Sequence, residues 1–395
     1  MHLRPELTGV PESPMVLLAT EAEQTPGAIK LCYGESDMPT PEFICRAAYE
    51  ASLAGHTFYT HTAGSVELRQ AVADKIFALH GLTYRPSEIM CTVGGTMAIY
   101  IAIRAFIGAG DNAVIISPAY AAYANSILMA GGESRPVSLA RDGNRFRLDL
   151  DRVRAAIDAN TRMLIVNSPS NPTGWLMTTD EQRALFELAE RHDLMIMADE
   201  VYERLVYGIP LARTFAAVSD DTERVKDRVI VINSFSKTYN MTGWRLGWAQ
   251  TSERAIHIMY AAAEFITSNP TAMVQQAAIV ALRDGEQYVK DLRAHYSARR
   301  EQVQAVLGAL PGVSLATPEG GFYAFMQVEG LTDSSALALS LLREAGVALA
   351  PGSAFGPSGE GYLRMCFAAS EATLTPALAR IRAYMEARAA SHAPN

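Results

Sequence analysis

The sequence contains little cysteine, with Cys32, Cys45, Cys91 and Cys366 scattered over 395 residues. No two of them form a CxxC pair, and none lies near histidine at the spacing of a zinc site, so we expect no structural metal. Few and dispersed cysteines also fit a reducing compartment. We therefore predict a cytoplasmic protein that binds no metal.

Long hydrophobic runs and a basic excess are also missing. No stretch of about 18 uninterrupted apolar residues occurs, so we predict no membrane-spanning helix. The first six residues lack the basic segment followed by an apolar one that marks a signal peptide. Acidic residues outnumber basic ones by 42 to 34, and the formal net charge is −8. This balance, without a basic tail, argues against nucleic acid and anionic membranes as partners.

The sequence does contain a regular alternation of short apolar runs and longer segments with helical spacing. The predicted strands lie at 88–93, 113–117, 163–167, 194–198, 229–233 and 246–249. Helical spacing is found between them in segments such as 66–80, 96–106 and 179–191. The alternation predicts an α/β fold with a mainly parallel sheet covered on both faces. Ligands of such sheets bind beyond the carboxyl ends of the strands.

The pattern changes after about residue 285. A long charged helical stretch, 286–307, leads into short strands and a last helix at 377–390. Because 395 residues are also too many for one small core, we predict two domains.

Lys237, in a Ser-Phe-Ser-Lys run, is the most informative residue. The apolar run 229–233 leads directly to it and is typical of a buried strand. A lysine held by such a strand can be desolvated, which lowers the pKa of its amine and suits it to form a Schiff base. The hydroxyls of Ser234 and Ser236, together with Arg245 eight residues after the lysine, suit a phosphate. A reactive lysine beside a phosphate site indicates pyridoxal 5′-phosphate (PLP).

The segment 234–247 resembles the lysine loop of the class I/II aminotransferases, the fold-type I PLP enzymes. Further motifs match that family, in its order, over residues 34–364. The resemblance implies a large PLP-binding domain at 46–285 and a smaller α/β domain made of residues 1–45 and 286–395. It also implies a homodimer with shared active sites that moves an amino group from an L-amino acid to a 2-oxo acid.

The resemblance assigns catalysis to Lys237, Asp199 and Tyr202. Asp199 follows a buried apolar run, and the protonated ring nitrogen of PLP would be the partner that a buried carboxylate needs. Tyr202 and Asn171, the latter in an Asn-Pro-Thr-Gly turn, would donate to the ring oxygen of the cofactor. The alternative interpretations are a helix N-cap for Asp199 and an ordinary turn at Asn171.

The phosphate and the ring face have candidates of their own. Gly95 and Thr96 lie between a predicted strand and a helix N-terminus, whose free N–H groups favour a phosphate. Tyr120 resembles the residue that stacks on the pyridine ring. Tyr59 resembles the tyrosine that reaches the phosphate of the neighbouring subunit. These four residues, with the serines and the arginine of the lysine loop, complete the predicted cofactor site.

The substrate carboxylate also has predicted ligands. Arg364, in an alternating strand-like run, is expected to bind the α-carboxylate through two parallel hydrogen bonds. Gly34 resembles the loop that closes over the same carboxylate, and Asn171 completes the predicted substrate site. We interpret the glycine-rich runs at 318–323 and 351–356 as mainly structural.

The sequence leaves the substrate open. Several aspartate aminotransferases of the resembled subgroup carry a lysine where this chain has Thr96, and that lysine contacts the distal carboxylate of the substrate. In relatives the segment that corresponds to 267–270 comes from the neighbouring subunit, and no arginine lies near it in this chain. Aspartate with 2-oxoglutarate is the default of the family. Aromatic or other non-acidic amino acids are the alternative, with Tyr33, His61 and Tyr123 as candidate pocket residues. A fold-type I lyase or synthase is a further alternative.

Overall fold

Short strands and longer helices alternate in the computed structural model, which describes residues 8–392. In chain order the strands are β1 Ile29–Lys30, β2 Ile89–Thr92, β3 Asn112–Ser117, β4 Glu133–Ser138, β5 Ala140–Asp142, β6 Arg145–Arg147, β7 Thr161–Asn167, β8 Met195–Asp199, β9 Val229–Ser234, β10 Gly247–Gln250, β11 Val313–Leu315, β12 Tyr323–Val328, β13 Val347–Ala348, β14 Ala350–Pro351 and β15 Tyr362–Cys366. The α-helices span Pro14–Gln24, Glu42–Leu53, Val66–His80, Gly94–Phe106, Ala122–Met129, Leu150–Ala156, Thr179–Arg191, Thr222–Lys226, Phe235–Thr238, Glu253–Thr267, Ala272–Asp284, Glu286–Leu307, Ser334–Ala345 and Glu371–His392. None of these helices is both long and apolar enough to cross a membrane.

Seven strands form the central sheet, in the order β2-β10-β9-β8-β7-β3-β4. Neighbours run parallel except at β10, which is antiparallel to both β2 and β9. Alternate residues of β3 belong to two separate apolar clusters, Ala113 and Ile115 to one and Val114 and Ile116 to the other. Both faces of the sheet are therefore covered, as the continuous apolar runs predict.

The α/β architecture and the mainly parallel sheet agree with the prediction, and each of the six predicted strands lies within two residues of its expected bounds. Two helices begin earlier than predicted. The first starts at Gly94 instead of residue 96, so the glycine turn is part of the helix. The last starts at Glu371 instead of residue 377, and Pro376 lies inside it. A proline lacks the N–H of one helical hydrogen bond, but the turn before it stays helical here.

A second sheet of four antiparallel strands has the order β11-β12-β15-β14. Strand β1 pairs in parallel with β13, and the N–H of Cys366 on β15 donates to the carbonyl of Leu31 at 2.9 Å. The N-terminal segment thus lies against C-terminal strands. This pairing supports the predicted small domain of residues 1–45 and 286–395, which stays a prediction. The first seven and the last three residues of that domain lie outside the described part of the chain.

Polar residues end three adjacent strands of the central sheet. Asn167 at the end of β7 is paired in register with Asp199 at the end of β8. Ser234 ends β9, and its hydroxyl accepts a hydrogen bond from the N–H of Ser236 at 3.1 Å, which caps the short helix that carries Lys237. The chain therefore brings a carboxylate, an amide, hydroxyls and an amine to the carboxyl edge of one sheet.

Candidate active site

A cleft of about 530 Å³ opens at this edge, lined by residues of both sheets. The predicted site residues among its lining are Gly34, Gly95, Thr96, Tyr120, Asn171, Asp199, Tyr202, Ser234, Ser236, Lys237, Arg245 and Arg364. Tyr59 is the exception, because its side chain is 90% exposed and lies outside the lining. The structure thus brings all but one of the predicted residues together, while their individual roles stay predictions.

Asp199 is a buried carboxylate that the protein itself orients. Its Oδ2 accepts a hydrogen bond from the hydroxyl of Tyr123 at 2.6 Å, and its Oδ1 accepts one from the N–H of Val201 at 3.2 Å. Burial raises the pKa of the Asp199 carboxyl to about 6, although both hydrogen bonds and the charge of Lys237 oppose this shift. A positively charged group placed in the cleft beside Asp199 would favour its ionised form.

Tyr123 lines the cleft, as the sequence suggested, and has a further contact that the sequence did not predict. Its side chain is almost fully buried, and its hydroxyl donates to Oδ2 of Asp199. Its ring meets the ring of Tyr120 edge-on, with centroids 5.9 Å apart. The three-residue spacing from Tyr120 is the signal that could have placed both aromatic rings at this strand end.

The other two candidate pocket residues differ from each other. Tyr33 lines the cleft. His61 lies outside the lining, where its ring packs against the ring of Tyr260 with centroids 5.4 Å apart.

Arg364 is buried on β15 and is held by several contacts. Its Nη1 donates to Oδ1 of Asn171 at 3.1 Å, and its Nη2 donates to the carbonyl of Cys32. The guanidinium lies over the rings of Tyr323 and Phe355, 4.5 and 4.9 Å from their centroids. Its Nε has no hydrogen-bond partner among the described residues. The guanidinium makes no ion pair within residues 8–392 either, so its charge remains available to an anion.

Lys237 projects its amine toward the same region. The Nζ donates to the carbonyl of Gly34 at 2.6 Å. Desolvation lowers the pKa of the Lys237 amine to about 8, and the charges of Arg364 and Arg245 act in the same direction. Near neutral pH a larger fraction of this amine is therefore uncharged and nucleophilic than on a surface lysine.

The end of the cleft that is predicted to bind a phosphate combines a helix N-terminus with hydroxyls and a guanidinium. The Oγ atoms of Ser234 and Ser236 are 2.9 Å apart. Arg245 is exposed, donates to the carbonyl of Thr242 at 3.0 Å, and lies against Gly94. Gly94 has a φ of +75°, which favours glycine, and the Arg245 guanidinium occupies the space that a Cβ would take.

Tyr202 has a partner that the sequence analysis did not name as a site residue. Its hydroxyl oxygen lies 2.7 Å from that of Tyr323, in the run interpreted as mainly structural. Asn167 is a further unnamed residue, because its side chain accepts from the N–H of Asn171 at 2.7 Å and donates to the carbonyl of Asp199 at 2.9 Å. These two residues fix the position of predicted site residues.

Comparison with known proteins decides the family. The sequence model of "Aminotransferase class I and II" matches residues 26–381. This chain belongs to that family. The aminotransferase is 33% identical to the aspartate aminotransferase of Bacillus subtilis (strain 168), over 98% of this chain and 99% of that protein. It is 36% identical to the aromatic-amino-acid aminotransferase 2 of Thermococcus litoralis, over 96% and 97%.

A solved structure agrees with this assignment. A single mutant of the Thermus thermophilus aspartate aminotransferase aligns with a TM-score of 0.90 and 33% identity, covering 97% of this chain and 99% of that one. The predicted fold-type I architecture and the transaminase activity are thereby confirmed. The aminotransferase belongs to a PLP-dependent family, and its cleft has groups that fit PLP, namely an amine, a buried carboxylate and a helix N-terminus with hydroxyls.

Proposed function

We propose that the cleft binds PLP and transfers an amino group from an L-amino acid to a 2-oxo acid. The observation that carries this proposal is that a lysine with a lowered pKa and a buried carboxylate with a raised pKa line one cleft. Groups with opposed pKa shifts in a cleft are typical of catalytic sites. Bound PLP would supply an electron sink for the negative charge that develops at the substrate Cα.

Three buried side chains would hold the cofactor ring. Asp199 would pair with the ring nitrogen, since it lines the cleft and its Oδ atoms are oriented by Tyr123 and Val201. Tyr202 and Asn171 would donate to the ring oxygen. Tyr120, with 39% of its surface exposed at the cleft, would stack on the ring face.

Five residues would bind the phosphate. Gly95 and Thr96 offer N–H groups at the first turn of a helix, where four backbone donors lack intrahelical acceptors. Ser234 and Ser236 would add hydroxyls. Arg245, which makes no ion pair within residues 8–392, would add a charge.

Arg364 and Lys237 would act on the substrate. Arg364 would bind the α-carboxylate and so fix the orientation of the Cα–H bond. The Nζ of Lys237 would accept the Cα proton and deliver it again on the same face of the cleft, as a general base with a pKa near the working pH. The carbonyl of Gly34, 2.6 Å from this Nζ, would hold the amine when it is not engaged.

The attachment site can be tested by mass spectrometry. The PLP-loaded protein is reduced with borohydride and digested, and we expect the pyridoxyl mass on the peptide that contains Lys237. The peptide that contains Lys226 serves as the internal control and should carry no label. Lys226 is the nearest buried lysine in sequence, and its amine is already paired with Glu88 at 3.0 Å. Label on another lysine, or no label at all, would contradict the proposal.

The walls of the cleft favour a non-acidic donor over aspartate. Among the described residues three cations line the cleft, and the proposal already uses Arg364, Lys237 and Arg245. No described cation is left for a second carboxylate. The remaining lining contains the apolar and aromatic residues Met15, Tyr33, Ile99, Ala121 and Phe355. Its polar members include Ser13, Thr242 and the anionic Glu35, which would repel a second carboxylate.

Donor preference can be measured directly. With 2-oxoglutarate as acceptor, phenylalanine, methionine and leucine should have a higher kcat/KM than aspartate. Thr96→Lys, which places a cation at the cleft, should raise kcat/KM for aspartate by roughly tenfold and leave that for phenylalanine nearly unchanged. If the wild-type enzyme prefers aspartate, a second cation must reach the substrate from elsewhere. That result would contradict the non-acidic preference and favour aspartate as the donor, as in the resembled subgroup.

We also propose a homodimer with shared sites. Tyr59 and Phe58 are 90% and 80% exposed, and Phe265 is 89% exposed, although large aromatic side chains are seldom left in water on a monomer. A partner subunit that covers them would bring Tyr59 to the phosphate of its neighbour. If so, mixing inactive Lys237→Ala subunits with weakened Tyr59→Ala subunits should restore activity, because each mixed dimer has one native site. No gain on mixing would contradict shared sites.

We propose a cytoplasmic location as well. It is supported by the four cysteines, all of which are free in the structure. Cell fractionation of a tagged chain would test this location, and recovery of the chain outside the cytoplasmic fraction would contradict it.

A further inference from the structure

We infer that Tyr323 is a positioning residue whose hydroxyl donates to Tyr202 and turns the Tyr202 proton into the cleft. The inference rests on the proposed function, in which Tyr202 donates to the ring oxygen of the cofactor. The two hydroxyl oxygens are 2.7 Å apart, and both side chains are buried, with 0% and 2% of their surfaces exposed. Either atom could be the donor on distance alone.

The direction follows from counting protons. Each phenol has one proton to donate and can accept from two donors. Within residues 8–392, the contact with Tyr202 is the only hydrogen bond of the Tyr323 hydroxyl. Both hydroxyls line the cleft. In the proposed function the single proton of Tyr202 goes to the ring oxygen of the cofactor, so at this contact Tyr202 can only accept. Tyr323 is then the donor at the 2.7 Å contact, and both protons are used.

The surroundings of Tyr323 hold its hydroxyl in this position. A Cβ on Gly34 would lie 2.5 Å from the Tyr323 Oη, so glycine at position 34 makes room for the hydroxyl. The Arg364 guanidinium lies over the Tyr323 ring, 4.5 Å from its centroid. The rings of Tyr323 and Tyr202 meet edge-on at 5.6 Å. Tyr323 therefore connects the cofactor donor Tyr202 with the two residues proposed to bind the substrate carboxylate.

The strength of the Tyr202 hydrogen bond should depend on this contact. A hydroxyl that accepts one hydrogen bond becomes a better donor in a second one. A stronger donor to the ring oxygen favours its ionised form, and so lowers the pH at which the visible absorption of bound PLP changes. Tyr323→Phe removes the donor and keeps the ring under Arg364. We expect it to raise the midpoint of the spectroscopic pH titration by roughly half a unit.

Two further variants separate positioning from structural damage. Tyr202→Phe should shift the midpoint more than Tyr323→Phe, and adding Tyr323→Phe to it should cause no further shift, because the effect passes through Tyr202. Tyr207→Phe is the matched control, since that buried hydroxyl donates to the Gly321 carbonyl at 2.6 Å and does not contact Tyr202. It should leave the midpoint unchanged.

The possible outcomes are distinct. An unchanged midpoint in Tyr323→Phe, or an equal shift in the Tyr202→Phe background, would overturn the inference while leaving PLP binding intact. A wild-type protein that shows no visible PLP absorption and no borohydride label would overturn the proposed function instead. Circular dichroism of each variant checks that the fold is retained.

Discussion

The deep end and the rim of the cleft are built differently. At the deep end, Asp199, Asn171 and Arg364 are all buried and hydrogen-bonded to other protein groups. At the rim, Thr96 and Arg245 are exposed, and the exposed Tyr59 lies outside the lining of the cleft of its own chain. The deep groups are therefore oriented before any ligand binds, whereas the rim groups have few protein contacts, and the proposed phosphate and partner subunit would supply more.

This difference separates two kinds of contribution. Oriented dipoles and charges in a water-poor site stabilise developing charge without reorganising, which favours catalysis. Exposed charges are screened by solvent and contribute less per contact. We therefore expect substitutions at the deep end to reduce turnover and substitutions at the rim to weaken cofactor binding.

The largest effect is expected at Lys237. Lys237→Ala removes the proposed general base and should lower kcat by at least roughly 10³-fold, while the other proposed contacts should still bind PLP. Stopped-flow absorbance of the half-reaction with an amino acid measures the loss. Partial rescue by added methylamine would show that the missing group is an amine. Near-normal turnover of the variant would refute the assignment of Lys237.

Asp199→Asn is expected to have the next largest effect. The amide cannot supply a negative charge, so kcat should fall by roughly 10²- to 10³-fold. Glu200→Gln is the matched control, because Glu200 is equally buried at the next position but accepts from the N–H of Phe215 at 2.6 Å and does not line the cleft. Equal losses in the two variants would show that Asp199 acts only through folding.

The sequence was sufficient to predict the strand ends and the residues that follow them. An apolar run followed by a polar residue identified Asp199 and Lys237, because a parallel sheet places such residues at its carboxyl edge. It could not predict the contacts of Tyr123 with Asp199 or of Tyr202 with Tyr323. These pairs are 76 and 121 residues apart in the chain, and their meeting depends on how the helices and the second sheet pack.

A pair of conservative substitutions compares the two ends directly. Arg364→Lys loses the planar fork and its buried partners, and kcat/KM for the amino acid should fall by roughly 10- to 100-fold. Arg245→Lys keeps a charge at an exposed site, and its PLP affinity should fall by less than about tenfold. Steady-state kinetics measures the change in kcat/KM, and fluorescence titration with PLP measures the change in PLP affinity. A larger loss from Arg245→Lys would reverse the proposed difference between deep end and rim.

The smallest effect concerns stability. Burial and the charge of Glu203 raise the pKa of Glu200 from an ordinary 4.5 to about 8. Between these values the folded state keeps a proton that the unfolded state releases, so the free energy of unfolding falls as pH rises through this range. Glu200→Gln has no such proton and should lose less stability between pH 5 and pH 8. Urea unfolding of the apoprotein tests this, and parallel curves would contradict the buried, protonated state of Glu200.

The central claim is that the cleft transfers an amino group through a cofactor held at Lys237. The most direct measurement is a single-turnover experiment, in which PLP-loaded protein is mixed with an amino acid in the absence of acceptor and the 2-oxo acid is quantified. We predict one equivalent per chain, with no more until a second 2-oxo acid is added. Continued release without acceptor, or no 2-oxo acid from any amino acid, would contradict transamination and favour a lyase or synthase.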